Sequence, residues 1–220
     1  MKKLILFHLI LICTISCDSQ QIKDQLEPSY KAQKGNKPEI TEYFNKESNI
    51  YSNYTYNIAI QSPKNWRHDN GVSEHTVFRA FVMDSGYSYS LNVFESINDI
   101  ENSFWIDYNK NISNINKQFS SGMEKMLNTK ISIEYTKIAV IKNFKSIKRK
   151  YTYTVIDNEF VFDMTSIVHQ IPKGKFLYTI TLTIPKFFYD ESSGYFDNIL
   201  NGIYWLPNKK QMIDEIKNSK

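Results

Sequence analysis

Lys175-Phe176-Leu177-Tyr178-Thr179-Ile180-Thr181-Leu182-Thr183-Ile184, closed by Pro185, is the stretch that decides the fold. Its β-branched and aromatic residues predict a strand, and Pro185, which cannot donate to a ladder, ends it. Immediately upstream Pro172-Lys173-Gly174 marks a turn. Before that lie Phe160 to His169, Ser146 to Val155 and Ile131 to Ile141, all strand candidates, with Asp157-Asn158-Glu159 as the turn between the middle pair. Connections this short allow only antiparallel pairing, so the last three strands form an antiparallel meander.

Working back from the meander, Ser96 to Leu127 repeats apolar residues at helical spacing: Ile100, Phe104, Tyr108, Ile112, Ile115, Phe119 and Met126. This predicts one long amphipathic helix capped at Asn98 or Asp99, with Asn and Lys on its opposite face. Asn and Ser are weak helix formers, so its stability comes from docking. Ser120-Ser121-Gly122 reads as a weakening or end of that helix. Upstream, Thr76 to Met83 and Tyr87 to Glu95 flank Asp84-Ser85-Gly86, a hairpin loop in which glycine supplies the positive backbone angle. Tyr54, Tyr56, Ile58 and Ile60 alternate with Thr55, Asn57, Ala59 and Gln61, the pattern of a half-buried strand that Pro63 ends, leaving Trp66 to fold back over the sheet. At the other end a helix starts near Ser192 or Ser193 and groups Phe196, Ile199, Leu200 and Ile203, and Trp205-Leu206-Pro207 closes the domain. The expected class is α+β: an antiparallel sheet of about six to seven strands covered by a long central helix and a C-terminal helix.

The first residues carry a different message. Met1-Lys2-Lys3 is basic, Leu4 to Ile12 is apolar apart from His8, and Thr14-Ile15-Ser16 leads with small residues into Cys17. The apolar run falls short of the ~20 residues a membrane span needs. The expected arrangement is a lipoprotein signal peptide over 1–16, with Cys17 as the lipidation site carrying diacylglycerol and palmitate-type chains. Each buried methylene of such chains adds about 0.8 kcal/mol of membrane affinity. Cys13 leaves with the signal, so the remaining body has no thiol to pair in an oxidising compartment. From Asp18 to Glu47 the chain is polar, interrupted by Pro28, Gly35 and Pro38, and reads as a flexible tether over 17–47, apart from a short helical turn at Ile40 to Phe44. The domain then occupies 48–206, and 207–220 is a charged tail. Such a protein sits on a membrane in the bacterial cell envelope, with its domain outside the cytoplasm.

Charge and motif content exclude several functions. The net charge of +4 falls further when Lys2 and Lys3 depart, which gives no basis for nucleic acid as a partner. Seven glycines, none arranged as a phosphate-cradling loop, argue against nucleotides. There is no Gly-x-Ser-x-Gly elbow, and the expectation is no catalytic residue, no cofactor and no enzyme. His68, Asp69, Glu74 and His75, around Gly71, form the compact cluster with metal-ligand chemistry, but their spacing fits no zinc pattern. The competing reading is a metal-dependent envelope hydrolase using His68 and His75. His169 follows a strand, where it faces solvent or accepts a turn hydrogen bond. Lys142, Lys145, Lys148, Arg149 and Lys150 are the densest positive segment. They form either a partner surface for anionic headgroups or an acidic protein, or a guard against edge-to-edge strand pairing. Trp105 lies off the helical stripe, and Tyr87 and Tyr89 near the hairpin loop are candidates for outward-facing aromatics, against a default of core packing.

The run Tyr54-Thr55-Tyr56-Asn57-Ile58-Ala59-Ile60 with Pro63 and Trp66, then Lys175 to Thr183, then Phe196 with Ile199, resembles the PsbP-like domain over residues 50–206. Members of that family include a subunit of the oxygen-evolving complex, a Ran-binding nuclear transport factor and DcrB-like bacterial envelope lipoproteins. The resemblance implies an antiparallel sheet covered by helices and a non-catalytic domain that binds a protein or envelope component. It supplies no catalytic residue. A toxin-neutralising immunity lipoprotein is a further reading of the same features.

Overall fold

The computed structural model describes residues 29–31, 39–69, 71, 73, 75–82, 86–157 and 160–207. The meander is its centre. Strands β8 (Ile131–Ile141), β9 (Phe144–Asp157), β10 (Phe160–Lys173) and β11 (Phe176–Pro185) pair in order, each antiparallel to the next. Strand β11 then pairs with β7 (Ser88–Glu95), which pairs with β6 (Thr76–Phe81) and through it with β5 (Arg67–Asp69). The sheet therefore has seven strands in the order β5-β6-β7-β11-β10-β9-β8. The turn between β10 and β11 falls one residue later than Pro172-Lys173-Gly174 suggests, because Pro172 sits opposite Leu177 and Gly174 takes the positive φ of 57°.

A second sheet of five strands packs on one face of the first. It is built from β1 (Ser29–Lys31), β2 (Glu39–Asn45), β3 (Ile50–Asn53), β4 (Ile58–Gln61) and β12 (Ile203–Trp205), in that order. The stretch expected as a tether contains β1 and β2, and Ile40 to Phe44 is strand, because edge pairing supplies the order that the sparse apolar pattern does not. The alternation from Tyr54 to Ile60 is not one strand either. Asn57 adopts φ 52° and Asn53 Oδ1 accepts from the Tyr56 amide at 3.1 Å, so the chain turns at 54–57 and only Ile58 onward is extended.

Strand alternation gives the large sheet two unlike faces. The inner face carries Tyr178, Ile180 and Leu182 of β11, Tyr89, Leu91 and Val93 of β7, and Ile167 and Ile171 of β10, all essentially dry. They join Tyr51, Ile58, Ile60 and Ile203 of the small sheet in one core, with Phe78 stacked 4.7 Å from Tyr51. A short 3-10 turn (Lys186–Phe188) leads into helix α2 (Tyr189–Asn201), which starts earlier than Ser192 and adds Phe196, Ile199 and Leu200 to that core. At 25 cal/mol per Å2, this apolar burial is the main stabilising term of the domain.

The outer face meets helix α1 (Glu101–Leu127). Its first residue is preceded by Ile100, whose amide bonds to Gly174 O at 2.9 Å, while Asp99 Oδ1 accepts from the Glu101 amide at 2.9 Å. The helix runs straight past Ser120-Ser121-Gly122, since Phe119 packs edge-on against Tyr151 at 5.5 Å and holds that region down. Its break lies instead at Asn111, whose φ of −135° and ψ of 30° are not helical. Beyond the Met164–Pro185 pair, β9 and β10 continue with no third strand beside them among the described residues. Ile156 and Val161 on this overhang, and Phe187 next to it, are exposed, and an open groove of about 520 Å3 lies against Val161, Phe162, Asp163, Lys186 and Phe187.

Candidate functional site

The positive segment is divided by the period of the strand that carries it. Lys142 and Asn143, with φ of 48° and 69°, make the turn between β8 and β9, and Lys145 just after them is exposed. Lys148 and Lys150 point to the inner side. Lys150 Nζ lies 2.8 Å from Glu134 Oε2 and 3.8 Å above the Tyr189 ring. Burial lowers the pKa of Lys148, with the charges of Asp197 and Lys137 acting in opposite senses. Arg149 faces the other way and is fully buried under α1. The five residues thus occupy different surfaces, and only Lys142 and Lys145 remain as an exposed pair.

Lys142 belongs to a cationic end of the molecule that no local motif announces. Lys142 Nζ lies 5.5 Å from the Tyr204 ring, and Lys173 Nζ lies 5.3 Å from Trp205 and 5.5 Å from Phe144. Trp205 is braced by Phe144 at 4.9 Å and by Tyr178 at 4.8 Å, and the Tyr178 hydroxyl donates to Tyr56 O at 2.6 Å. Lys175 beside them pairs with Glu95. Ammonium groups over aromatic rings gain about 0.5–1 kcal/mol each at exposed sites. The arrangement presents lysine charge on a rigid aromatic base, suited to an acidic or amphipathic surface. Its residues come from two hairpins and the last strand, so linear spacing could not assemble them. The clue available in the sequence was Trp205-Leu206-Pro207, read only as a closing segment.

The histidine cluster comes apart. His68 sits opposite Ala80 with its ring 3.8 Å from Phe44, inside the inter-sheet layer, and burial lowers its pKa. His75 lies before the other end of β6, 4.3 Å from the Phe94 ring. Asp69 Oδ1 accepts from Arg79 Nε at 2.8 Å and from the Gly71 amide at 2.8 Å, so its carboxylate is already engaged. Glu74 lies outside the described residues, as does Cys17. Among the described residues no three His, Cys, Asp or Glu side chains converge on one point.

His169 is not at a strand end. Strand β10 continues to Lys173, so His169 lies mid-strand on the inner face, 2% exposed and 5.5 Å from Phe196. Its Nδ1 is 3.0 Å from Ser146 Oγ, which also reaches Ala139 O at 3.3 Å. Burial, then the Lys148 charge, pushes its pKa down to about 3. A serine beside a neutral histidine has the composition of a nucleophile and base, but Ser146 is 0% exposed and offers no face to a substrate. The pair ties β9 to β10. Tyr89 is likewise buried, Tyr87 packs 5.8 Å from Phe188, and Trp105 stands edge-on to Tyr108 at 6.0 Å.

Comparison with known proteins gives the fold its class: it is PsbP-like. Cyanobacterial PsbP (CyanoP) from Synechocystis sp. PCC 6803 superimposes with a TM-score of 0.52 at 12% identity, covering 71% of this chain and 91% of that one. LpqN, described as involved in cell envelope biogenesis of Mycobacterium tuberculosis, aligns with a TM-score of 0.43 at 12% identity over 68% of this chain and 83% of its own. No family model and no curated protein matches the sequence. Among the described residues no helix is long and apolar enough to cross a membrane.

Proposed function

We propose that this chain is a bacterial envelope lipoprotein, held to a membrane by acylation of Cys17, whose PsbP-like domain is non-catalytic and binds a protein partner or an envelope component. The sequence around Cys17 supports the anchor. The observation that carries binding is the lysine–aromatic end, where Lys142 and Lys173 stand over Tyr204, Trp205 and Phe144. The engaged Asp69 and the ring-packed His68 favour a binding domain over the hydrolase reading. Anchoring confines the domain to a thin layer and raises its effective concentration toward other membrane-bound molecules.

Two measurements test the two halves separately. Cys17→Ala abolishes incorporation of labelled fatty acid, and labelling that persists removes the anchor. The triple change Lys142→Glu, Lys145→Glu, Lys173→Glu lowers the melting temperature by about 2–8 °C, the loss of two ammonium–ring contacts, and leaves the chain folded. It removes the cross-linked species recovered from intact cells. Recovery of the same species from the triple variant moves binding away from this end.

A further inference from the structure

Arg149 is a fully buried guanidinium for which the described residues supply no carboxylate. Its Nε donates to Asn116 Oδ1 at 3.1 Å and its Nη1 to Gln170 Oε1, both neutral amides. Asn116 Oδ1 is shared, since it also accepts from Thr136 Oγ1 at 3.1 Å. The guanidinium carbon lies 4.9 Å from the Phe119 ring, and Nη2 has no acceptor at all. Burial lowers the pKa to about 10, with nearby Tyr108 acting in the opposite sense, so the group stays charged at neutral pH. Confining a charge without a counter-charge is among the most costly arrangements a protein interior can hold.

Register shows that Arg149 is not an isolated defect. Thr76, Asn92, Thr179 and Gln170 are successive cross-strand neighbours on the outer face; on β9 that row meets Ile147, and Arg149, which lies between Val168 and Thr136, reaches Gln170 diagonally. A polar row therefore runs over four strands, and the guanidinium under α1 joins its end through Gln170. Within that row Thr179 Oγ1 is also buried with no partner. The layer has a cationic donor and a hydroxyl unmatched. The covering element has a built-in break: Asn111 separates the first turns of α1 from residues 112–127, which bear both Asn116 and Phe119.

We propose that the layer between the second half of α1 and strands β9–β11 is a binding site for a small oxyanion, a carboxylate or phosphate group, taken by Arg149 with Gln170 and Thr179 beside it. A planar or tetrahedral oxyanion accepts from Nη2 and Nη1 together, the geometry for which guanidinium is suited. Residues 112–127 swing about Asn111 to admit it and close over it. The site is independent of the lysine–aromatic end and of acylation.

Thermal melting of the full chain in detergent, at fixed ionic strength with chloride replaced by inorganic phosphate or by acetate, tests this. Either anion raises the midpoint by several degrees over chloride, through binding to the folded state alone, and the one that acts identifies the group. Arg149→Gln abolishes the shift. Asn116→Asp places a carboxylate on the guanidinium from within, so it retains the fold and also abolishes the shift. The absence of any shift in the parent chain overturns the proposal, as does an equal shift in the Asn116→Asp chain, which marks a general salt effect.

Discussion

Strand β11 shows two chemistries on one backbone. Toward the small sheet it presents Tyr178, Ile180 and Leu182, each no more than 1% exposed, and toward α1 it presents Thr179, Thr181 and Thr183. The same division holds in β7, where Tyr89, Leu91 and Val93 alternate with Ser88, Ser90 and Asn92. A face that only had to be covered would be apolar, because hydroxyls gain little from a helix above them. The inner face is built for stability. The outer face is mixed: it buries Ile147, Tyr151, Met164 and Val168, and among them it holds hydroxyls, amides and Arg149 at a cost in stability.

The largest way to sharpen this contrast is a matched pair of truncations on β11. Ile180→Ala, which opens a cavity in the inner core, costs about 3–4 kcal/mol, whereas Thr181→Ala on the neighbouring outer position costs below about 1 kcal/mol. Urea unfolding of both variants measures the difference, and equal losses would erase the distinction between the faces.

Comparable in total, but spread over several pH units, is an acid sensitivity on the inner side. His169 takes its proton near 6.5 when unfolded and only near 3 when folded. The unfolded chain therefore binds the extra proton across that window, and stability declines as pH falls from about 6.5 toward 3, at up to about 1.4 kcal/mol per pH unit. His169→Leu flattens this part of the stability curve. A slope unchanged in that variant assigns the acid sensitivity to other groups.

The smallest effect lies at the lysine–aromatic end. Asn143 at φ 69° follows Lys142 at φ 48° in a two-residue turn. Asn143→Gly relieves the left-handed conformation and gains about 0.5 kcal/mol, measurable as a small rise in the unfolding midpoint. A loss there indicates that the Asn143 side chain holds the turn.

The strands that carry the inner face were readable because strict alternation and turn residues act locally: β8 is bounded at Ile131 and Ile141 as its sequence indicates. What escaped was set by pairing. Strands β1 and β2 have few apolar residues and gain order only as neighbours of β3. The Tyr54 to Ile60 pattern hid a turn because Asn57 tolerates the left-handed region without a glycine to signal it. The site was less legible than the fold. Lys142 and Lys145 were visible as charge, but Lys173, Tyr204 and Trp205 reach them only through tertiary packing, and Arg149 looked like one more surface cation until alternation turned it beneath the helix.

The short strand Ile203–Trp205 pairs with Ile58 to Ile60 near the opposite end of the domain, and Phe196 to Leu200 just before it complete the core. A chain delivered through a pore with its leading end first would meet a long delay. The small sheet lacks β12 until residues 203–205 emerge, and central β11 must arrive before β7 finds its second neighbour. Were the chain exported, such wiring would keep the polypeptide pliable during passage and postpone collapse until release, since contacts between distant positions form late.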